Sequence, residues 1–96
     1  MKLRLLSIAT ADIRAAYDYY EKEQHCLGAR FWRELDTYLD WIRSNPDIPR
    51  VRPGNYRRVN LKTFPYYIAY TIWNEEITIL AVVNSHREPE FWIDRM

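Results

Sequence analysis

Apolar residues recur with two different periods along this 96-residue chain, and the change of period divides it into a helical half and an extended half. Lys2–Leu6 is short and aliphatic, which suits a first strand. Between Ala9 and Tyr20 the apolar residues return every three or four positions, the spacing of one helix face. Leu27–Ser44 keeps that spacing, and Asn45-Pro46 predicts its end because a residue before proline avoids the α region. The first half is therefore predicted to be a strand followed by two helices.

The residues that flank these helices predict how they begin and how they are joined. Ser7 or Thr10 is expected to cap the first helix, since either hydroxyl can accept a hydrogen bond from a free first-turn amide. The polar residues 24–26 predict the turn, and Gly28 is expected to let it be tight. Helices joined by so few residues pack as an antiparallel hairpin.

The second half has the period of two that is typical of strands. Pro49, Pro53 and Gly54 first interrupt regular structure. Three strands are predicted after this interruption, at Tyr56–Lys62, Tyr66–Trp73 and Ile77–Val83. Asn74-Glu75-Glu76 predicts a tight turn, so the last two strands form an antiparallel hairpin. Ile77–Val83 is apolar on both faces, which is typical of a strand inside a sheet.

The whole chain is therefore predicted to be a single α+β domain spanning residues 1–96. The predicted order is strand, helix, helix and then a three-stranded antiparallel sheet, with the helical hairpin packed on one face of the sheet. The remaining segment, Glu88–Ile93, is amphipathic and is expected to form one helical turn that starts at Pro89.

The composition favours a well-packed globular protein, because 48% of the residues are hydrophobic and only two are glycine. No run approaches the roughly 18 apolar residues of a membrane span, and the N-terminus lacks the apolar stretch of a signal peptide. We therefore expect a cytoplasmic protein. The single Cys26 has no partner for a disulfide, and with only His25 and His86 it falls short of a zinc site. No metal and no cofactor is expected.

The charges are segregated along the chain although the net charge is only +1. Residues 1–47 carry seven basic and eight acidic side chains, and residues 75–96 carry two basic and five acidic ones. Between them, residues 48–74 carry five basic side chains and no acid. The five are Arg50, Arg52, Arg57, Arg58 and Lys62. Such a block favours contact with nucleic acid, a nucleoprotein or an acidic peptide; the alternative is a solvated strand face.

Short motifs along nearly the full length, about residues 3–92, resemble the RelE/ParE toxins of bacterial type II toxin–antitoxin systems, and the ParE-like branch (plasmid stabilisation proteins) in particular. In chain order these motifs are Ala9-Thr10-Ala11-Asp12-Ile13, Tyr17-Asp18-Tyr19-Tyr20, Leu27-Gly28-Ala29-Arg30-Phe31, Ile42-Arg43-Ser44-Asn45-Pro46, Arg57-Arg58-Val59, Phe64-Pro65-Tyr66-Tyr67-Ile68-Ala69-Tyr70, Ala81-Val82-Val83 and His86-Arg87-Glu88-Pro89, followed by Trp92. Phe64–Tyr70 is the most specific single block. Several motifs in the family's order and spacing favour this fold and a toxin function.

The resemblance implies two possible activities, which divide the superfamily. ParE-like members inhibit DNA gyrase by binding it and trapping cleaved DNA, without cutting DNA themselves. RelE-like members are ribosome-dependent endoribonucleases that cut mRNA. Both are neutralised by a cognate antitoxin, ParD-like or similar, with an N-terminal DNA-binding domain and a tail that wraps the toxin. We expect the gyrase-inhibiting activity here, with the ribosome and its mRNA as the alternative target.

The ribonuclease alternative is weakened by the residues at the catalytic positions of that branch. RNA cleavage needs a base, a general acid and cations around the phosphate. Arg58 and Arg87 stand where cations are used, but Asn60 and Tyr67 replace two other basic residues. The ribonuclease branch also uses a tyrosine near the C-terminus. This chain has Trp92 and Ile93 in that neighbourhood, and neither side chain can transfer a proton.

His86 keeps the ribonuclease alternative open, because it can transfer a proton and related toxins use a histidine near the C-terminus. The catalytic candidates of this alternative are therefore Arg58, His86 and Arg87. Arg87 could instead form an ion pair with Glu88 or Glu90, and His86 could simply be a polar residue at a strand end.

A toxin that acts by binding needs two sets of contact residues, one for its target and one for its antitoxin. Alternation along the strand places Arg57 and Arg58 on opposite faces, so at least one is free for a partner. The candidates for target binding are Arg57, Arg58, Arg87 and Trp92, although Trp92 is equally suited to cover the core. The candidates for antitoxin binding are Trp32, Trp41, Arg50, Arg52 and Lys62, which would receive an amphipathic helix with acidic residues.

Overall fold

The computed structural model describes all residues from Met1 to Met96. Its elements are β1 (Lys2–Leu5), α1 (Ser7–Glu23), α2 (Leu27–Ser44), β2 (Arg57–Asn60), β3 (Tyr66–Trp73), β4 (Glu76–Asn84) and a short 3₁₀ helix (Ile93–Arg95). Their order confirms the predicted α+β class. The bounds of α2 and β3 agree with the prediction to the residue, whereas β2 is shorter at both ends than expected. None of the helices combines the length and the apolarity that crossing a membrane requires.

The sheet has four strands in the order β1-β4-β3-β2. β2, β3 and β4 pair antiparallel as predicted, and β1 adds a parallel strand to the outer side of β4. Parallel neighbours need a long crossover between them, and the helical hairpin begins that crossover. The sheet is therefore mixed, with β4 inside it and β2 at one edge.

A β-bulge at Leu80 interrupts the alternation of faces within the continuous apolar run Ile79–Val83 of β4. The register passes from the pair Ala69–Ala81 to the pair Tyr70–Ile79, so Leu80 is an extra residue in β4. Ile79 and Val82 consequently pack on the helix face, and Leu80 and Ala81 pack on the opposite face. Both faces of β4 are covered.

The larger core lies between the sheet and the helical hairpin. α1 contributes small residues such as Ala9 and Ala16, and α2 contributes Phe31 and Leu35, which are fully buried. The sheet meets them with Ile68. The smaller core lies on the far face, where the segment after β4 folds back over the sheet. Its central residue is Trp92, with the buried neighbours Tyr56, Tyr67, Ala69, Leu80, Ala81 and Val83.

Three local expectations were wrong. The predicted cap of α1 is absent, because Leu6 occupies the cap position without a side-chain hydrogen bond and Ser7 is already helical; Thr10 lies further inside, its N–H bonded to the Leu6 carbonyl. The tight turn between the helices is made by Cys26, with φ of 68°, and not by Gly28, which lies inside α2. The helical turn near the C-terminus begins at Ile93, after non-helical turns that follow Pro89.

Gly28 is needed for helix packing instead of for the turn. A Cβ atom at this position would lie 2.7 Å from the backbone oxygen of Tyr17, so only glycine lets α2 approach α1 this closely. The Glu21 carboxylate accepts the backbone N–H groups of Cys26 and Gly28, each at 3.0 Å. These bonds lower the pKa of Glu21, with the Cys26 amide as the main cause. The carboxylate thus satisfies amides at the start of α2 that have no helical partner.

Candidate binding surfaces

The two adjacent arginines of β2 point to opposite faces of the sheet, as alternation predicted. Arg57 lies on the helix side, where its guanidinium donates to the carbonyl oxygens of Asp47 (3.0 Å) and Pro49 (2.7 Å). Its side chain is only 20% exposed. Arg57 therefore has a structural role: it holds residues 46–53, here called the proline-rich segment, against the domain.

Arg58 lies on the far face at the free edge of the sheet. Its guanidinium carbon is 3.9 Å from the centre of the Tyr67 ring, and its Nε donates to the Asn60 side chain at 3.0 Å. Neither neighbour is an acid, so the positive charge of Arg58 is not neutralised within the chain. A cation held flat on an aromatic ring at a surface is well placed to meet an anion.

The remaining basic residues of the central block do not form one patch. Arg50 is exposed and Arg52 is half-buried in the irregular segment before β2. Lys62 instead lines a shallow groove of about 400 Å³ together with Arg30 and Arg33 of α2, here called the Lys62 groove. The charge distribution along the chain gave no indication of Arg30 and Arg33, although their spacing of three does place them on one helix face.

The exposed tryptophans of α2 lie on different sides of the helix. Trp41 follows Trp32 by nine positions, which is two and a half helical turns, so the two side chains point in opposite directions from the helix axis. Trp32, 44% exposed, lines a groove between the two helices with Ile13 and Tyr17. Trp41 lines a largely apolar groove of about 460 Å³ between α2, β2 and the proline-rich segment, here called the Trp41 groove.

The Trp41 groove and the Lys62 groove form one continuous surface, because Thr37 and Tyr38 line both. Of the five residues expected to bind the antitoxin, the structure thus brings Trp41 and Lys62 together. Trp32 faces the other side of the hairpin. Arg50 and Arg52 line neither groove.

The residues after β4 are distributed between solvent and core. His86 is exposed in a turn, where its backbone N–H donates to the Asn84 side chain at 2.8 Å. Arg87 is also exposed and stacks on Phe91, with 4.1 Å between the guanidinium carbon and the ring centre. Arg87 forms no ion pair with Glu88 or Glu90, the alternative that the sequence had left open.

Trp92 is 1% exposed and belongs to the core of the far face. Its indole N–H donates to the Tyr67 hydroxyl at 2.7 Å, and its ring meets Tyr56 edge to face at 4.7 Å. The Tyr56 hydroxyl donates to the Glu90 carboxylate at 2.6 Å. The pKa of Tyr56 is raised, mainly by burial and to a lesser extent by this hydrogen bond. This arrangement corresponds to the core-covering alternative for Trp92, and a partner reaches the indole only if the segment moves.

A further groove of about 440 Å³ lies between α1, the outer edge of β4 and the C-terminal segment, here called the α1–β4 groove. Arg87 and Arg95 line it, with Tyr66 and Tyr19 opposite. Burial raises the pKa of Tyr66. Arg95, which nothing in the sequence singled out, forms an ion pair with Asp12 at 2.6 Å.

The three candidates for ribonuclease chemistry do not share a site. Arg58 belongs to the edge strand β2 and lines the Trp41 groove as well as contacting Tyr67 on the far face, whereas Arg87 lines the α1–β4 groove. His86 lines neither. No single groove therefore presents all three side chains to one phosphate, as a positioned acid–base pair with its cation would.

Comparisons with known proteins agree with this architecture. The family model described as "ParE toxin of type II toxin-antitoxin system, parDE" matches residues 3–89. A solved structure titled "Chromosomal ParDE TA system from P. aeruginosa" is similar with a TM-score of 0.66 and 20% sequence identity, over 88% of this chain and 95% of that one. No curated protein is similar enough in sequence to match. With the family model covering nearly the whole domain, the chain belongs to the ParE toxin family of type II toxin–antitoxin systems.

Proposed function

We propose that this toxin inhibits DNA gyrase by binding it and trapping cleaved DNA, without cutting nucleic acid itself. The observation that supports a binder is that Arg58 and Arg87 line different grooves and His86 lines neither of them. Arg58 is half-buried and Arg87 is exposed. Each lies over an aromatic ring and has no acidic partner. Such side chains suit contact with an acidic protein surface or with DNA phosphates.

The test of this function is a gyrase supercoiling assay with a readout of cleaved DNA, run beside an assay of mRNA cleavage on ribosomes. We expect the toxin to abolish supercoiling and accumulate cleaved DNA while mRNA stays intact. Codon-positioned mRNA cuts with normal supercoiling would instead make the chain a ribonuclease. Arg58→Glu and Arg87→Glu are expected to weaken gyrase inhibition at least tenfold. Arg43→Glu, which alters an exposed arginine at the far end of α2, serves as the control.

We propose further that the cognate antitoxin docks on the surface formed by the Trp41 and Lys62 grooves. An amphipathic helix places its apolar face on Trp41 and its acidic residues near Lys62, Arg30 and Arg33. Arg57 is not a suitable residue for testing this contact, because its guanidinium already holds the Asp47 and Pro49 carbonyl groups.

The antitoxin surface is tested by measuring the affinity of the antitoxin for single variants. Trp41→Ala should weaken binding by about thirtyfold or more, since a central tryptophan at an interface contributes about 2 kcal/mol or more. Lys62→Glu should also weaken binding, and the loss of affinity should be larger at low salt than at high salt, because salt screens charge contacts at a surface. Trp73→Ala is the matched control, as Trp73 is 79% exposed and lines neither groove. Unchanged affinity of the Trp41 variant would contradict this surface.

A further inference from the structure

The outer edge of β4 is longer than the strand that covers it. β4 spans Glu76–Asn84, but β1 pairs only with residues up to Ile79. The last bond on this edge runs from the Leu6 N–H to the Ile79 carbonyl at 3.1 Å. From Leu80 onward the edge has no neighbouring strand, and it forms the floor of the α1–β4 groove.

Side chains satisfy the first polar groups of this open edge. Arg95 donates to the Leu80 carbonyl at 3.1 Å, and the Asp12 carboxylate accepts the Val82 N–H, also at 3.1 Å. The open edge is therefore occupied as far as the Val82 amide, and the groups beyond it remain for a partner.

Strand alternation identifies those remaining groups as the Val82 carbonyl and the Asn84 N–H. The Tyr66 carbonyl accepts the Leu61 N–H at 2.9 Å, and the Tyr66 N–H donates to the Phe64 carbonyl at 2.8 Å, so neither group bonds to β4. Asn84 is the register partner of Tyr66 and therefore turns its N–H away from β3, into the groove. Val82 lies two residues earlier and points the same way.

These two groups fit one residue of an extended chain that runs parallel to β4. In a parallel ladder a single residue donates to one carbonyl and accepts from the amide two residues further on. An antiparallel pairing at Val82 would need the Val82 N–H as well, which Asp12 already holds. The added chain would continue the line of β1, which is itself parallel to β4.

The walls of the groove indicate the chemistry of that chain. The α1 side is lined by Asp12, Ala15, Ala16 and Tyr19, and the two alanines leave room for a backbone to come close. Asp12 is the only acid in the lining, and its charge is neutralised by Arg95. Arg87 remains as a cation without an acidic partner, stacked on Phe91 at the rim. The groove thus favours an extended peptide with a carboxylate beside Arg87.

We infer that the α1–β4 groove receives an extended acidic segment of the antitoxin, which adds a parallel strand to β4 and places a carboxylate on Arg87. The inference rests on the proposed pairing with an antitoxin and is independent of gyrase as the target. In this arrangement the antitoxin covers Arg87, a candidate for target contact, so neutralisation would follow from occupying that side chain.

The inference is tested by amide hydrogen exchange, resolved by NMR, on the toxin alone and in complex with the antitoxin encoded beside it. The Asn84 amide should exchange at least tenfold more slowly in the complex. Arg87→Gln should weaken antitoxin affinity about tenfold, and Ala15→Trp, which fills the groove from an exposed helix position, should weaken it more. Arg43→Gln is the matched control.

An unchanged exchange rate of Asn84 in a fully formed complex would overturn the inference, as would unchanged affinity of both variants. Loss of gyrase inhibition by Arg87→Gln with normal antitoxin affinity would assign Arg87 to the target and also overturn it. Failure of the toxin to inhibit gyrase at all, with Asn84 protected in the complex, would refute the proposed target and leave this strand addition standing.

Discussion

Arg95, the penultimate residue, forms an ion pair of 2.6 Å with Asp12 of α1, and the two side chains are only 14% and 16% exposed. Each also bonds to the open edge of β4, Asp12 at the Val82 N–H and Arg95 at the Leu80 carbonyl. The pair therefore joins three parts of the chain that are distant in sequence. It fixes the C-terminal segment over the far face and occupies the open edge of β4 as far as the Val82 amide.

Replacing Asp12 by alanine should destabilise the domain, because it leaves the Arg95 charge without an anionic partner and the Val82 N–H without an acceptor in a shielded site. We expect a loss of about 2–3 kcal/mol in the free energy of unfolding, somewhat below the range for fully buried pairs. Urea unfolding followed by circular dichroism measures it. Arg43→Ala breaks the exposed pair with Asp40 and should change stability by less than about 1 kcal/mol. Equal losses in the two variants would contradict the role assigned to Asp12.

Replacing Trp92 by alanine should cost about 3–5 kcal/mol of stability, since a fully buried indole leaves a cavity. Tyr67→Phe, which removes the acceptor of the indole N–H, should cost about 1–3 kcal/mol. Trp92→Phe should also remove the shortest-wavelength part of the tryptophan fluorescence, because the other three tryptophans are substantially exposed. In the control Trp73→Phe the long-wavelength part should decrease while stability stays constant. If Trp92→Phe instead removed the long-wavelength part of the tryptophan fluorescence, the Trp92 indole would not be buried in solution.

Gly28→Ala should lower stability although alanine is the better helix former. Helix propensity alone predicts a gain, which is about 1 kcal/mol at an interior helical position and smaller in the first turn of α2, where Gly28 lies. The added Cβ would lie 2.7 Å from the Tyr17 carbonyl oxygen, which is backbone and cannot move without separating the helices. We expect a net loss of about 1–3 kcal/mol in thermal or urea unfolding. An increase in the free energy of unfolding would contradict this prediction and would mean that α1 and α2 are not packed this closely.

Stability should fall in acid partly through Glu21. The pKa of this carboxyl is lowered, chiefly by the Cys26 amide. A group with a lowered folded pKa stabilises the protein above its unfolded pKa, near 4.5, and this contribution disappears as the pH falls through the folded value. Glu21→Gln should therefore flatten the decline of stability below about pH 4.5. Glu23→Gln removes a charge from the same helical turn without removing an amide acceptor, and it should leave the slope unchanged. Equal slopes in wild type and the Glu21 variant would contradict the effect.

The alternation along β2 was sufficient to predict that Arg57 and Arg58 point to opposite faces. It could not predict that Arg57 is committed to the Asp47 and Pro49 carbonyl groups, because those partners come from an irregular segment. Trp41 and Lys62 were both expected to bind the antitoxin, yet their joining into one surface depends on how β2 and the loop after it pack beside α2. Trp32, predicted on the same argument, lies on the other side.

What the sequence determined by itself are the features that depend on neighbours a few residues apart. The periods of 3.6 and two specified α2 and β3, Asn45-Pro46 ended α2, and the motif order indicated the toxin family. The tertiary structure alone decided the parallel pairing of β1 with β4, the bulge at Leu80 and the burial of Trp92. It also decided the ion pair between Asp12 and Arg95, which are 83 positions apart. Contacts of this kind depend on which surfaces meet when the whole chain closes, and no local pattern of residues records that.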